Sequence, residues 1–229
     1  MHPFNLISIF ISGLNFGLAL LIWLKNPKNK INILFALSVL FLAIWTFSEA
    51  MFLEATSEFT ARVWANIDNL FGSAIVVLFF FFTLYFPYQH LRLNIYFKIL
   101  IAISIIAHLV IIFSPNIFLS KIILQPPFND FVSHPFGRIF YAIFFITYLS
   151  FAFYFLIKKF FHSSGIMRKN LVFILWSTGI LAFFGTIFGI ILPVIFGGDN
   201  PWFTTYFSVP MVILLAWLIL MGDKKIYIK

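Results

Sequence analysis

Long apolar segments constrain this chain more than any other feature of its sequence. Seven runs are almost entirely apolar, and each has the length of about 20 residues that an α-helix needs to cross a hydrocarbon layer. Only 10% of the residues are charged, whereas a soluble domain needs about a quarter. The runs lie near 4–24, 31–53, 62–86, 97–116, 138–157, 171–196 and 202–221. The sequence therefore predicts an all-α membrane protein, a single seven-transmembrane helix bundle within residues 1–229.

Other arrangements of the apolar runs fit the sequence less well. A membrane β-barrel would alternate apolar and polar residues, whereas "IVVLFFFFTLYF" is almost continuously apolar. No basic residue precedes the first run and no small-residue cleavage site follows it, so we expect a retained helix and not a signal peptide. The chain has no cysteine, which excludes disulfides, thiolate nucleophiles and sulfur-ligated metals.

The positive charges are distributed unevenly among the connections between the runs. The connections on one side carry Lys25, Lys28, Lys30, Arg92, Lys98, Lys158, Lys159, Arg168, Lys169, Lys224, Lys225 and Lys229. Those on the other side carry only Arg62, Lys121 and Arg138. The positive-inside rule therefore predicts an external N-terminus and a cytoplasmic C-terminus in the plasma membrane. The net charge of +8 thus indicates orientation and does not call for nucleic acid.

One outer connection is longer than the others. Residues 117–137, "IFLSKIILQPPFNDFVSHPFG", contain Pro126, Pro127 and Pro135, which interrupt helices. We expect this connection to be a rigid outer loop in the position of a lid.

Polar side chains of the runs concentrate near the outer side. On a helical projection of the third run, Asp68, Asn69 and Asn66 fall in one polar sector, which must face protein because lipid cannot satisfy an ionised carboxylate. Glu49 and His108 lie in the outer halves of their own runs. We expect an outward-opening polar cup for an unknown signal ligand, formed by Glu49, Asn66, Asp68, Asn69, His108 and Arg138.

The same residues have structural interpretations, which the sequence leaves open. Asp68 or Glu49 would simply hold helices together if paired with Arg62, Arg138 or His108. His108 alone is typical of a packing residue, and no second histidine lies three or four positions away, so we expect no metal site.

Two segments have the small-residue spacing that lets transmembrane helices approach closely. These are "GLNFG", with Gly13 and Gly17, and "GTIFG", with Gly185 and Gly189. We interpret all four glycines as helix-packing positions.

The chain also lacks recognisable catalytic patterns. The seventh run has no lysine for a retinal Schiff base, and no H-E-x-x-H motif occurs. The segment "HSSG" lies in a basic connection without the base and orienting partner that a nucleophilic serine needs. We therefore expect no enzyme activity from this chain and no cofactor.

The order of several landmarks resembles the seven-transmembrane N-terminal sensory region of bacterial histidine kinases. They are "LLIWLKNPKNKINILFALSVLFLAIWTFSEA", "ARVWANIDNLFGS", "FTLYFP", "GTIFGIILPVIFGG" and "NPWF". The resemblance implies a receptor for an extracellular or membrane signal that acts on a cytoplasmic kinase, PAS or diguanylate-cyclase module. It also implies a homodimer, because such signals reach dimeric kinases. Only "GDKKIYIK" follows the last run, so the expected output module is either a separate partner or missing from a truncated chain.

Two other functions remain open at this point. A small transporter or permease would have discontinuous helices and a midplane site, whereas the polar residues here lie toward one side. An inert remnant without a partner is the third possibility.

Overall fold

The computed structural model describes residues 2–86, 93–114, 117–192 and 195, which form long helices and a β-hairpin. The helices are α1 (Pro3–Lys25), α2 (Lys30–Leu53), α3 (Glu58–Tyr85), α4 (Ile95–Phe113), α5 (Pro135–Phe161) and α6 (Gly165–Thr186), which continues as a π-helical turn at Ile187–Ile191. The strands are β1 (Leu119–Ile123) and β2 (Asp130–Ser133). All six helices are long and apolar enough to cross a membrane. The predicted helix at 202–221 lies outside the described residues.

The helices begin earlier than the apolar runs, and at α2 and α3 a side chain caps the first turn. Asn29 accepts a hydrogen bond from the Ile31 amide, and Ser57 accepts one from the Thr60 amide. Such caps satisfy amide groups that have no partner within the helix. The third helix therefore starts at Glu58 instead of the predicted 62.

Consecutive helices run in opposite directions, which gives the described bundle two distinct ends. The hairpin end carries the turn between α2 and α3 and the β-hairpin that joins α4 to α5. The basic end carries the turns between α1 and α2 and between α5 and α6. Eight basic residues of the described chain lie at or near the basic end, namely Lys25, Lys28, Lys30, Lys98, Lys158, Lys159, Arg168 and Lys169. Near the hairpin end there are three: Arg62, Lys121 and Arg138.

Helix α1 packs through a polar face, which the apolar run at 4–24 did not predict. Asn5, Ser8, Ser12 and Asn15 are buried and follow a spacing of three or four residues. The Ser12 hydroxyl donates to the Ala43 carbonyl of α2 at 2.8 Å. Small polar residues are common at helix contacts in lipid, where they combine close approach with interhelical hydrogen bonds.

Apolar packing closes the bundle at both ends. At the basic end, buried side chains of five helices form one cluster that includes Ile22, Phe35, Phe82, Leu156 and Leu171. At the hairpin end, the turn between α2 and α3 packs against the hairpin through a second cluster that includes Phe52, Ala61, Phe118 and Phe131. The hairpin is thus part of the hydrophobic core and not a loose connection.

The predicted outer loop contains regular structure. Strands β1 and β2 pair antiparallel, with Ile122 opposite Phe131 and Ile123 opposite Asp130. Pro126 and Pro127 lie in the turn between the strands, and Pro135 occupies the first turn of α5. Proline fits a helix start because its missing amide proton would have no acceptor there.

Candidate functional site

Three helices meet closely at Gly72, and we call Trp45, Gly72 and Tyr141 the Gly72 junction. A Cβ atom built on Gly72 would lie 3.2 Å from the Trp45 indole nitrogen and 3.2 Å from the Tyr141 hydroxyl oxygen. The absence of a side chain in α3 therefore lets polar atoms from α2 and α5 converge on its backbone. Two hydrogen-bonding groups are thus concentrated inside the bundle.

Charged residues lie in one layer on the hairpin side of this junction. Glu49 follows Trp45 by one turn of α2, Asp68 precedes Gly72 by one turn of α3, and Arg138 precedes Tyr141 by about one turn of α5. Because α2 runs toward the hairpin end and the other two helices run away from it, all three steps lead toward the hairpin. The fold thus places two carboxylates and a guanidinium on neighbouring helices at a similar height.

The members of this layer differ in exposure. Glu49 is only 1% exposed, whereas Asp68 is partly exposed with its Oδ1 atom inaccessible to solvent. The Nε of Arg138 donates to the Ser133 hydroxyl at 2.6 Å, which links α5 to strand β2. Asp68 lies ten positions after the start of α3, or about 15 Å along the helix axis, deeper than a start at 62 would place it.

His108 contacts this region through aromatic rings. Its imidazole stacks on Phe144 with a centroid distance of 3.8 Å and lies 5.5 Å from the Tyr141 ring. The side chain is 2% exposed, and neither ring nitrogen has a hydrogen-bond partner among the described residues. A buried imidazole of this kind needs water or a ligand to satisfy it. His108 is therefore both a packing residue and a candidate ligand contact.

The two asparagines of the predicted cup do not lie beside Asp68. Residues two apart on a helix point in different directions, so Asn66 and Asp68 lie at opposite edges of the buried face of α3. Asn69 is buried, and its side-chain amide donates to the Ala65 carbonyl of its own helix at 2.7 Å. The geometry thus favours Glu49, Asp68, His108 and Arg138 over the asparagines as the centre of the site.

The hairpin covers the charged layer. Arg62 donates from its Nη1 to the Leu119 carbonyl at 3.0 Å, and the Phe118 ring lies 5.6 Å from the Tyr141 ring. Asn129 donates to the carbonyls of Phe52 and Ala55 at 2.8 and 2.7 Å. The loop that was expected to act as a lid is therefore packed directly over the helices that carry the site.

The N-terminus is also fastened at this end. The backbone amide of His2 and the side-chain amide of Asn5 both donate to Oε1 of Glu54, the residue that caps α2. The hydrogen bond from His2 is the main reason why the pKa of Glu54 lies below its ordinary value, and the bond from Asn5 adds to it. Hydrogen bonds thus link the start of α1 and the hairpin to the end of α2.

Three of the four glycines predicted to pack helices together have no close neighbour among the described residues. A Cβ built on Gly13 or Gly17 would meet no described atom within 4 Å, and the same holds for Gly185 of α6. Gly189 lies in the π-helical turn. The close approaches occur instead at Gly72 and at Gly137, where a Cβ would lie 2.3 Å from the Ile117 carbonyl oxygen.

Sequence reasoning missed Trp45 and Tyr141, although their spacing contained a signal. Each lies three or four positions from a charged residue on the same helix, Glu49 and Arg138 respectively, and so shares its face. Their role becomes visible only when Gly72 is known to face both helices. Among the described residues, no three His, Asp or Glu side chains come together as a candidate metal site.

A family model described as the N-terminal 7TM region of histidine kinase matches residues 7–223, which is nearly the whole chain. No curated protein and no solved structure matches.

Proposed function

Because this chain belongs to the family of N-terminal 7TM regions of histidine kinases, we propose that it is a signal-receiving module of the plasma membrane. The signal acts at the hairpin end, and the response leaves at the basic end toward a cytoplasmic kinase or other output module. The family is a sensory region and not a catalytic domain, which supports a receptor without enzyme activity of its own. The response passes through a homodimer if the output module is a dimeric kinase.

The orientation follows from the charges. The hairpin end faces outward and the basic end faces the cytoplasm, because eight described basic residues lie near the latter and three near the former. The N-terminus is then external, and the C-terminus is cytoplasmic if residues 202–221 form the seventh helix.

The observation that carries the proposal is the charged layer beneath the hairpin. Glu49, Asp68 and Arg138 each lie one turn from the Gly72 junction, and His108 packs on Tyr141 from α4. Burying such groups costs free energy that a packing role alone does not require. A ligand that displaced the hairpin, or bound beneath it, would change the electrostatic interactions among these groups. The packing of α2, α3, α4 and α5, which carry them, would change as a result. Glu49, Asp68 and Arg138 lie on continuous helices, which agrees less well with a transporter, whose site would be formed by discontinuous helices.

A fusion of the full chain to the catalytic region of a histidine kinase tests this proposal. We expect Asp68→Asn to change the autophosphorylation level of the fusion in membranes, while expression, insertion and thermal stability stay near those of the parent. Glu58→Gln is the matched control, because it removes one carboxylate from the same helix at an exposed position. The Glu58 carboxylate pairs with Arg62 at 3.2 Å, and an exposed pair of this kind contributes little to stability. It should leave the output unchanged.

Two results would contradict the receptor proposal. One is a parent fusion whose kinase activity equals that of the catalytic region alone in every condition tested. The other is an Asp68→Asn fusion that loses more than about 1 kcal/mol of stability with unchanged output, since that indicates a structural pair and no signalling role.

A further inference from the structure

A buried lysine joins two helices at the basic end. Lys159 of α5 is 4% exposed, and its Nζ donates to the carbonyl oxygens of Thr83 at 2.7 Å, Leu84 at 3.1 Å and Phe86 at 2.5 Å. In the sequence, this residue is one of the charges of a predicted cytoplasmic loop. The structure instead places it within α5, with its side chain directed at the end of α3.

The three acceptors explain why a cation is stable in this position. Thr83 and Leu84 belong to the last turn of α3, where carbonyl groups have no amide partner within the helix, and Phe86 is the capping residue. The C-terminus of a helix also carries a partial negative charge that attracts cations. Lys159 therefore satisfies the end of α3 with three hydrogen bonds, which is as many as an ammonium group donates.

The same two helices are joined at the hairpin end. Arg62 in the second turn of α3 donates to the Leu119 carbonyl of strand β1. Arg138 in the first turn of α5 donates to Ser133 of strand β2. Gly137 approaches the Ile117 carbonyl so closely that no side chain fits between them. The hairpin thus connects the starts of α3 and α5.

Aromatic contacts fill the interval between these two connections. The Phe80 ring of α3 lies 5.6 Å from Tyr148 and 6.1 Å from Phe155 of α5, and Phe79 lies 6.0 Å from Phe153. Close-packed interiors transmit displacements instead of absorbing them. Helices α3 and α5 are therefore in contact along the bundle and are fastened at both ends.

From this arrangement we infer that Lys159 is a clamp that makes α3 and α5 move as one unit, so that a displacement of the hairpin reaches the turn between α5 and α6. Without the clamp, the end of α3 has unsatisfied carbonyl groups and separates from α5 at the basic end only. The inference concerns the mechanics of the bundle and holds whether or not the chain is a receptor.

Distance measurements between paired spin labels test the clamp directly, because the chain has no native cysteine. One pair, Leu78→Cys with Phe161→Cys, reports the basic end, and a second pair, Phe59→Cys with Phe136→Cys, reports the hairpin end. Each pair combines one residue of α3 with one of α5, and Phe161, Phe59 and Phe136 are more than half exposed. The labelled full chain is reconstituted in lipid nanodiscs.

The variant is Lys159→Met, which keeps an unbranched side chain only one atom shorter and removes its donors. The matched control is Lys158→Met, because Lys158 is the preceding residue, has the same charge and is exposed. We expect Lys159→Met to lengthen and broaden the distance distribution of the basic-end pair and to leave the hairpin-end pair unchanged. Lys158→Met should change neither pair.

Two results would overturn the inference. In the first, Lys159→Met leaves the basic-end distribution like that of the parent. In the second, it broadens both pairs equally, which indicates general loosening of the bundle. If Lys159→Met does not insert into membranes, Lys159→Gln gives the same comparison, since its amide keeps two donors at shorter reach and should broaden the basic-end pair in the same way.

Discussion

At the scale of single residues, the glycines of this chain differ sharply in what surrounds them. Gly137 lies against a backbone carbonyl oxygen, Gly72 lies against the ends of two aromatic side chains, and Gly13 has no described neighbour within 4 Å of an added Cβ. Side-chain ends move more easily than backbone. The cost of adding one methyl group should therefore depend on which kind of atom it meets.

Alanine substitutions at these three positions should give three different stabilities. We expect Gly137→Ala to lower the free energy of unfolding by about 1–3 kcal/mol, as overpacking of a filled site does. Gly72→Ala should cost less, because the Trp45 and Tyr141 side chains need to move only a few tenths of an ångström. Gly13→Ala should be neutral or slightly stabilising, since alanine favours helix more than glycine does.

Thermal unfolding of the three variants in the same lipid or detergent is the measurement. A loss of stability in Gly13→Ala as large as that in Gly137→Ala would show that α1 packs through its glycines after all. In that case the predicted role of Gly13 and Gly17 would be correct, with a neighbour beyond the residues described above.

At the scale of elements, one buried side chain fastens the turn of the hairpin to the helices. Asn129 is 4% exposed, donates to two carbonyls at the end of α2 and accepts from the amide of Gln125 at 2.7 Å. It therefore connects the hairpin turn with the turn between α2 and α3. Its hydrogen bonds thus add to the contacts that Arg62, Arg138 and the cluster around Phe118 make between the hairpin and the helices.

Replacement of Asn129 should loosen the hairpin without unfolding the helices. We expect Asn129→Ala to cost about 1–3 kcal/mol, because buried carbonyl groups lose their donors. Hydrogen exchange in residues 119–133 should become faster, while exchange in the middle of α2 and α3 stays slow. Lys121→Ala serves as the control, since Lys121 is exposed on the same hairpin. Equal exchange rates in the two variants would count against the role of Asn129.

At the scale of the whole molecule, the uneven distribution of basic residues between the two ends predicts one orientation in the membrane. We expect an alkaline phosphatase fusion after Gln125 to be active, because the hairpin end lies outside, and a fusion after Ser164 to be inactive. A green fluorescent protein fusion after Lys229 should fluoresce, since it folds in the cytoplasm. An inactive fusion after Gln125 together with an active one after Ser164 would reverse the proposed orientation.

The sequence alone determined the membrane character, the helical class, the family resemblance and the approximate position of six helices. These follow from composition and from runs long enough to cross lipid, which are properties of neighbouring residues. It also predicted that Asp68 faces the interior of the bundle, because helical periodicity relates residues a few positions apart, and that Glu49 lies in the same half of the bundle.

The tertiary structure decided how separate helices align, which helical periodicity cannot predict. Only the fold shows that Trp45 and Tyr141 meet at Gly72, that the proline-rich loop is a hairpin packed over the charged layer, and that α1 packs through asparagine and serine. Lys159 illustrates the reason most clearly. In sequence it is a basic residue near the end of an apolar run, and its burial depends on three carbonyl groups more than 70 positions away. Contacts between distant segments depend on the rotation and height of each helix, and no local pattern specifies either.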